Sequence, residues 1–119
     1  MKDKRGDVVL IDYPFGDASG SKVRPALVVQ CDQRNGFLTE TIVALITKNV
    51  RFVASDPTQL LIDIGTPDGR ATGLKVTSAA KCGKLFTVNE DLVIRRIGAL
   101  SAILMKRVNE CLKEALKLP

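Results

Sequence analysis

A succession of short apolar runs, none longer than a strand and each closed by turn-forming residues, most constrains what this chain can fold into. The runs cover residues 8–13, 24–31, 39–47, 59–64, 74–80 and 92–97, and they are rich in Val, Ile, Leu and Thr. The stretches between them, at 14–21, 32–38, 48–57 and 65–73, collect Gly, Pro, Asn, Asp and Ser. This pattern predicts six short strands joined by loops. Several strands are continuously apolar instead of alternating, as in Ile42-Val43-Ala44-Leu45-Ile46, so both faces of the sheet should be covered. A small, strongly bent β-domain results, with a closed barrel as the best fit. Pro25 stands second in its run, where a missing N–H costs little, and it does not veto a strand.

The period changes near the end. Leu104, Val108, Cys111, Leu112, Ala115 and Leu116 recur at i, i+3/i+4, while Lys106, Arg107, Glu110, Lys113 and Lys117 fall elsewhere on the wheel. One amphipathic helix is predicted, with Ser101 placed to cap its start and Leu104 at the third helical position denying it a capping box. The expected fold class is therefore mainly β with a C-terminal α-helix, in one domain over residues 1–119, the size of an ordinary single core.

Composition narrows the function classes. No run approaches the ~20 apolar residues of a membrane-spanning helix. The opening Met1-Lys2-Asp3-Lys4-Arg5 has no apolar stretch behind its charges, so no secretory signal is expected and the cytoplasm is the expected compartment. Cys31, Cys82 and Cys111 are odd in number and widely spaced, which reads as buried thiols and not as a disulfide framework or zinc site. Eighteen Lys+Arg against thirteen Asp+Glu give a net charge of +5, which favours a polyanionic partner. The chain contains 0 His, so it lacks the usual acid/base group near neutral pH and the commonest metal ligand. Any chemistry here uses other side chains, and neither a metal nor a cofactor is expected.

Two segments carry a specific resemblance. Arg5-Gly6-Asp7-Val8-Val9-Leu10-Ile11-Asp12-Tyr13-Pro14, then a Gly/Ser loop, then Lys22-Val23-Arg24-Pro25-Ala26-Leu27-Val28-Val29 closely resembles the opening of MazF/PemK toxins. Further on, Ile42 to Thr47 is similar to the family's third strand ending in Thr, Pro57-Thr58 to the opening of its next strand, and Ser78 through Thr87 to its central segment. Ile97-Gly98 with Leu100-Ser101 completes a match over residues 5–118. The resemblance implies an SH3-like barrel that forms a homodimer. It also implies metal-independent cleavage of single-stranded RNA, and an acidic, largely disordered antitoxin that competes for the same positive groove. DNA would be met only through the antitoxin.

By that resemblance Arg24 and Thr47 take the catalytic positions. In metal-free RNA cleavage the 2′-OH attacks its own phosphate, a dianionic phosphorane forms and the 5′-oxygen leaves. A guanidinium offers a planar fork of donors that stays charged and matches two phosphate oxygens. Arg24 is thus assigned stabilisation of the transition state, and Thr47 a hydroxyl donor to the same phosphate. A guanidinium surrenders its proton reluctantly, so acid and base remain unassigned. Lys22, Phe15, Lys48, Ser78 and Lys81 are the candidate substrate-binding residues: lysines for phosphates, Phe15 to stack a base, against the plainer reading of solvated lysines and a Phe folded onto the core. Asp7 and Asp12 flank the first strand and are left out of the site.

The chain also departs from the pattern. Kid-like members have Arg where Lys81 stands and a catalytic Asp where Gly83 stands; here the positive charge is kept and the carboxylate is not. The first loop reads Ala18-Ser19-Gly20-Ser21 where some relatives have Glu-Gln or His. Two other readings stay open: a non-catalytic nucleic-acid-binding barrel, for which Gly83 is the best argument, and a CcdB-type gyrase poison. The latter resembles its relatives in a Trp-containing C-terminus, and this chain has 0 Trp.

Overall fold

A computed structural model describes residues 1–13 and 22–119. Six strands form one antiparallel sheet: β1 (Asp7–Tyr13), β2 (Lys22–Val28), β3 (Glu40–Thr47), β4 (Gln59–Ile62), β5 (Ser78–Asn89) and β6 (Val93–Ala99). Their order across the sheet is β4-β5-β3-β2-β1-β6. Two one-turn helices, α1 (Asp32–Asn35) and α2 (Pro67–Arg70), interrupt stretches expected to be loops, and α3 (Ala102–Leu116) ends the chain.

Both faces of the sheet are buried, as the continuous apolar runs require. On one face Val8, Leu27, Ala44, Ile46, Leu60, Ile62, Ala80 and Cys82 pack under Leu104, Val108 and Cys111 of α3. On the other, Val9, Ile11, Ala26, Val28, Val43 and Val88 form a second cluster, joined by Tyr13 and Phe86, whose rings meet edge to face at 5.5 Å. A single cluster gathering side chains from β1 through β5 under one helix requires the sheet to curl. The result is barrel-like, although β4 and β6 do not pair and close a ladder among the described residues.

The expected strand at 74–80 is the main correction. Leu74–Thr77 are not in a strand; β5 begins at Ser78 and runs twelve residues to Asn89. Gly73, at φ +75, turns the chain just before. The Cys82-Gly83-Lys84 interruption that hid the second half from the sequence reading is absorbed as a bulge. Leu45 faces Lys81 while its neighbour Ala44 faces Leu85, so β5 bends and pairs with β3 on both sides of the kink. β2 and β4 also end earlier than expected, at Val28 and Ile62.

Cys31 is the second correction. It is exposed, standing before α1 beyond the end of β2, whereas Cys82 and Cys111 are buried. Burial, with the Cys111 thiol adjacent, pushes the Cys82 thiol up to about 12, so neither sulfur is available as a nucleophile.

The Arg5-Gly6-Asp7 motif turns out to be structural. Gly6 has φ +97, which admits the turn into β1. The Asp7 carboxylate accepts from the Lys4 backbone N–H at 2.8 Å and from Arg96 Nε at 3.0 Å. Arg5 donates to the Val29 carbonyl at 2.9 Å and to Asn109 of α3 at 2.6 Å. Three residues thereby tie β1 to the end of β2, to β6 and to the terminal helix.

Ser101 caps α3 as expected, its hydroxyl accepting from the Leu104 N–H at 3.2 Å. The stripe buries Leu104, Val108 and Cys111, while Leu116, in the last turn, is 54% exposed. Ser101→Ala is expected to cost about 1 kcal/mol, read as a lowered midpoint in urea with an unchanged slope.

Candidate functional site

The ends of β2 and β3 build the site. Their register pairs Val28 with Val43, Leu27 with Ala44 and Ala26 with Leu45. Continued two residues past the last pair, the same register sets Arg24 opposite Thr47 and on the same side of the two strands. Pro25 intervenes without an N–H to donate, so the ladder stops there and the strand ends are free to open. That opening is a groove of about 530 Å³.

The groove collects most of the candidates. Lys22, Arg24, Thr47, Lys48 and Ser78 line it, over an apolar floor of Leu10, Pro25, Ile46, Leu74 and Ile97. Lys75 and Arg95, to which nothing in the sequence pointed, line it too. Five cationic residues thus line one cavity whose lining includes no carboxylate among the described residues. Arg24 is exposed and enters no ion pair among the described residues; the ion pairs found are Arg96 with Asp7, Lys113 with Glu110 and the chain's amino group with Glu90.

The hydroxyls differ in what they can offer. Thr47 Oγ1 accepts the Asn49 N–H at 3.1 Å, which fixes the oxygen and leaves its hydrogen to donate. Ser78, by contrast, is buried, and its hydroxyl already donates to the Val76 carbonyl at 2.9 Å. Its place is in the floor, supporting the 74–77 segment.

Two candidates stand elsewhere. Lys81 pairs in register with Leu45 and Gln59 on the β3–β5–β4 side, near the Asp56 carboxylate, and does not line the groove. Hydrogen bonds from Thr58 hold the Asp56 carboxyl below its usual range, with the Lys81 charge a lesser cause. Gly83 lies beside Thr58 on the same bulge, so the missing carboxylate concerns that side of β5 and not the Arg24 groove. Phe15 lies outside the described residues. Asp7, left out of the site by the sequence reading, is committed to Arg96.

A curled antiparallel sheet thus opens one end into a cleft lined by cationic residues and by no carboxylate among the described residues, a lining chemically suited to a polyanion. The chain belongs to the family of PemK-like, MazF-like toxins of type II toxin–antitoxin systems, whose sequence pattern matches residues 4–116. It is 32% identical over 116 residues to the endoribonuclease EndoA of Bacillus subtilis, covering 97% of this chain and 95% of that one. To the endoribonuclease MazF9 of Mycobacterium tuberculosis it is 29% identical, with 92% of each chain covered. Among solved structures the fold matches a mycobacterial endoribonuclease in complex with its cognate antitoxin, at a TM-score of 0.79 and 24% identity over 98% of this chain and 97% of that one. It also matches a MazE–MazF complex from Deinococcus radiodurans, at 0.76 and 16% identity over 100% of both chains. No helix among the described residues is long and apolar enough to cross a membrane.

Proposed function

We propose that this toxin, as one domain over residues 1–119, is a metal-independent endoribonuclease that cleaves single-stranded RNA by 2′-OH transesterification, and that Arg24 and Thr47 carry the reaction. The observation that carries the reading is Arg24, exposed and without an ion-pair partner among the described residues, lining a cleft that four further cationic residues make attractive to phosphate. When the 2′-oxygen attacks, charge grows on the non-bridging oxygens. Arg24 meets two of them with parallel N–H donors, and the Thr47 hydroxyl adds a third hydrogen bond. These donors stand ready before reaction, so little reorganisation is needed as the charge develops.

Lys22 and Lys48 hold the strand by its backbone on either side of that point, and Ser78 keeps the floor in shape. The described lining of the groove is cationic and offers no carboxylate, the oxygen ligand a divalent cation prefers. The toxin acts in the cytoplasm as a homodimer and is restrained by an acidic antitoxin. An acidic segment would compete for the groove by the same electrostatics that draw RNA.

The test is to incubate the protein with a long RNA in excess chelator and to analyse fragment ends. Discrete fragments carrying 2′,3′-cyclic phosphate and 5′-hydroxyl ends are expected. RNA binding without fragments would replace the proposal by a non-catalytic binding barrel, and chelator-sensitive cutting would overturn the metal-free chemistry.

A further inference from the structure

Lys75 and Arg95 come to the groove from segments unrelated to the Arg24–Thr47 strand pair. Lys75 follows Gly73 in the stretch that leads into β5, and Arg95 sits on β6, in register with Leu10 of β1. The two segments are packed together by the backbone just beside these residues. A Cβ on Gly73 would stand 2.1 Å from the Ile97 carbonyl oxygen, and one on Gly98 would stand 2.4 Å from the Ala71 carbonyl oxygen. The Ala99 N–H donates to that Ala71 oxygen at 3.2 Å, so the segment before Lys75 is pressed against β6 with no room for a side chain. The Thr72 hydroxyl, buried, bonds Gly69 at 2.6 Å and stiffens the same turn.

Arg95 and Arg96 divide the available work. Arg96 takes the Asp7 carboxylate at 3.0 Å. Arg95 also borders the neighbouring cavity that contains Asp3, Asp7, Glu90 and Asp91, yet it forms no ion pair with any of them. Two cationic residues without carboxylate partners among the described residues, brought by these two packed segments to the groove that Lys22, Arg24 and Lys48 also line, make a second bank.

The geometry points to Lys75 and Arg95 as positioning residues that grip a phosphodiester adjacent to the scissile one, so that the toxin requires an anionic linkage there and the bound strand is fixed at two phosphates. This rests on the groove being the RNA site. A strand held at Arg24 alone can swivel about that phosphate; a second grip removes the freedom and brings the 2′-oxygen into line.

The experiment uses a short oligoribonucleotide that the protein cuts once, synthesised with a single uncharged methylphosphonate at each non-scissile linkage in turn. It is assayed with the parent protein, Lys75→Gln, Arg95→Gln, the Lys75→Gln/Arg95→Gln double variant and Arg24→Ala, and thermal melting verifies that each variant is folded. For the parent, one linkage next to the cut should raise KM about fivefold, near the upper range for an exposed charge pair. In Lys75→Gln and Arg95→Gln the fully charged substrate should show part of that rise, and in the Lys75→Gln/Arg95→Gln double variant all of it, with the loss falling on KM more than on kcat. The methylphosphonate at that one linkage should then add no further loss to the double variant. Each single variant should also flatten the dependence of log affinity on log salt by about 0.7, as expected for one lost contact to a single strand. Additive losses at every linkage, or unchanged salt slopes, overturn the inference while leaving the groove reading intact if Arg24→Ala is inactive. Undiminished cutting by Arg24→Ala overturns the groove reading and this inference with it.

Discussion

Arg24→Ala is expected to cut single-stranded RNA ~100 to 1000-fold more slowly than the parent, the usual effect of removing one preorganised donor from a developing oxyanion. The side chain is exposed and pairs with no carboxylate among the described residues, so its removal leaves no buried charge behind. Stability should therefore change by no more than about 0.5 kcal/mol. Single-turnover rates at saturating RNA separate chemistry from binding, and the loss should persist at saturation. Arg24→Lys should recover little, because an ammonium is a point charge that cannot engage two phosphate oxygens through one planar fork. Thr47→Val, which keeps the shape and removes the hydroxyl, should cost less than Arg24→Ala, since it withdraws a neutral donor.

A large expected effect on stability comes from a glycine of β6. Gly98→Ala places a methyl 2.4 Å from the Ala71 carbonyl oxygen and equally close to the Thr72 carbonyl carbon. These are backbone atoms and have no rotamer to escape into. We expect a loss of about 3 kcal/mol, the upper range for an inserted methyl, and a melting temperature lower by ~10 °C. The damage should not stay local: pushing 71–73 off β6 carries Lys75 away from Arg95. Surviving folded protein should then bind RNA more weakly even though Arg24 and Thr47, on β2 and β3, are untouched. A Gly98→Ala variant with unaltered melting would mean that the segment is not pressed against β6.

Much of this arrangement was legible in the sequence, for identifiable physical reasons. The Gly-Asp-Val opening announces a turn into a strand, and the structure explains the Asp by its bond to Arg96, a partner 89 residues away that no local pattern indicates. The continuously apolar runs correctly implied a sheet buried on both sides, because that is what removing alternation requires. β5 was half missed since its bulge at Cys82-Gly83-Lys84 breaks the apolar run, and only pairing with β3 on both sides shows that one strand continues. Cys31 looked like Cys82 and Cys111, because composition does not say which thiol stands beyond a strand end. Arg24 and Thr47 were singled out through the family resemblance and Lys22 and Lys48 as candidate phosphate contacts, and all four line one groove. Lys75 and Arg95 were not singled out: in a chain with eighteen Lys+Arg, nothing local distinguishes a lysine after a turn or one arginine of an Arg-Arg pair. What brings them to one groove is the close approach of two glycine backbones, Gly73 of the turn against Ile97 and Gly98 of β6 against Ala71 and Thr72, a long-range fact.

The most direct measurement is the amide and arginine Nε spectrum of 15N-labelled protein titrated with an RNA whose scissile nucleotide carries hydrogen in place of the 2′-hydroxyl, so that it binds and is not cut. Shifts should concentrate at 22–25, 46–48, 73–78 and 95, with the Arg24 Nε resonance among the most displaced, and should spare α3. Shifts centred on α3, or an Arg24 Nε that stays in place at saturation, would contradict the account.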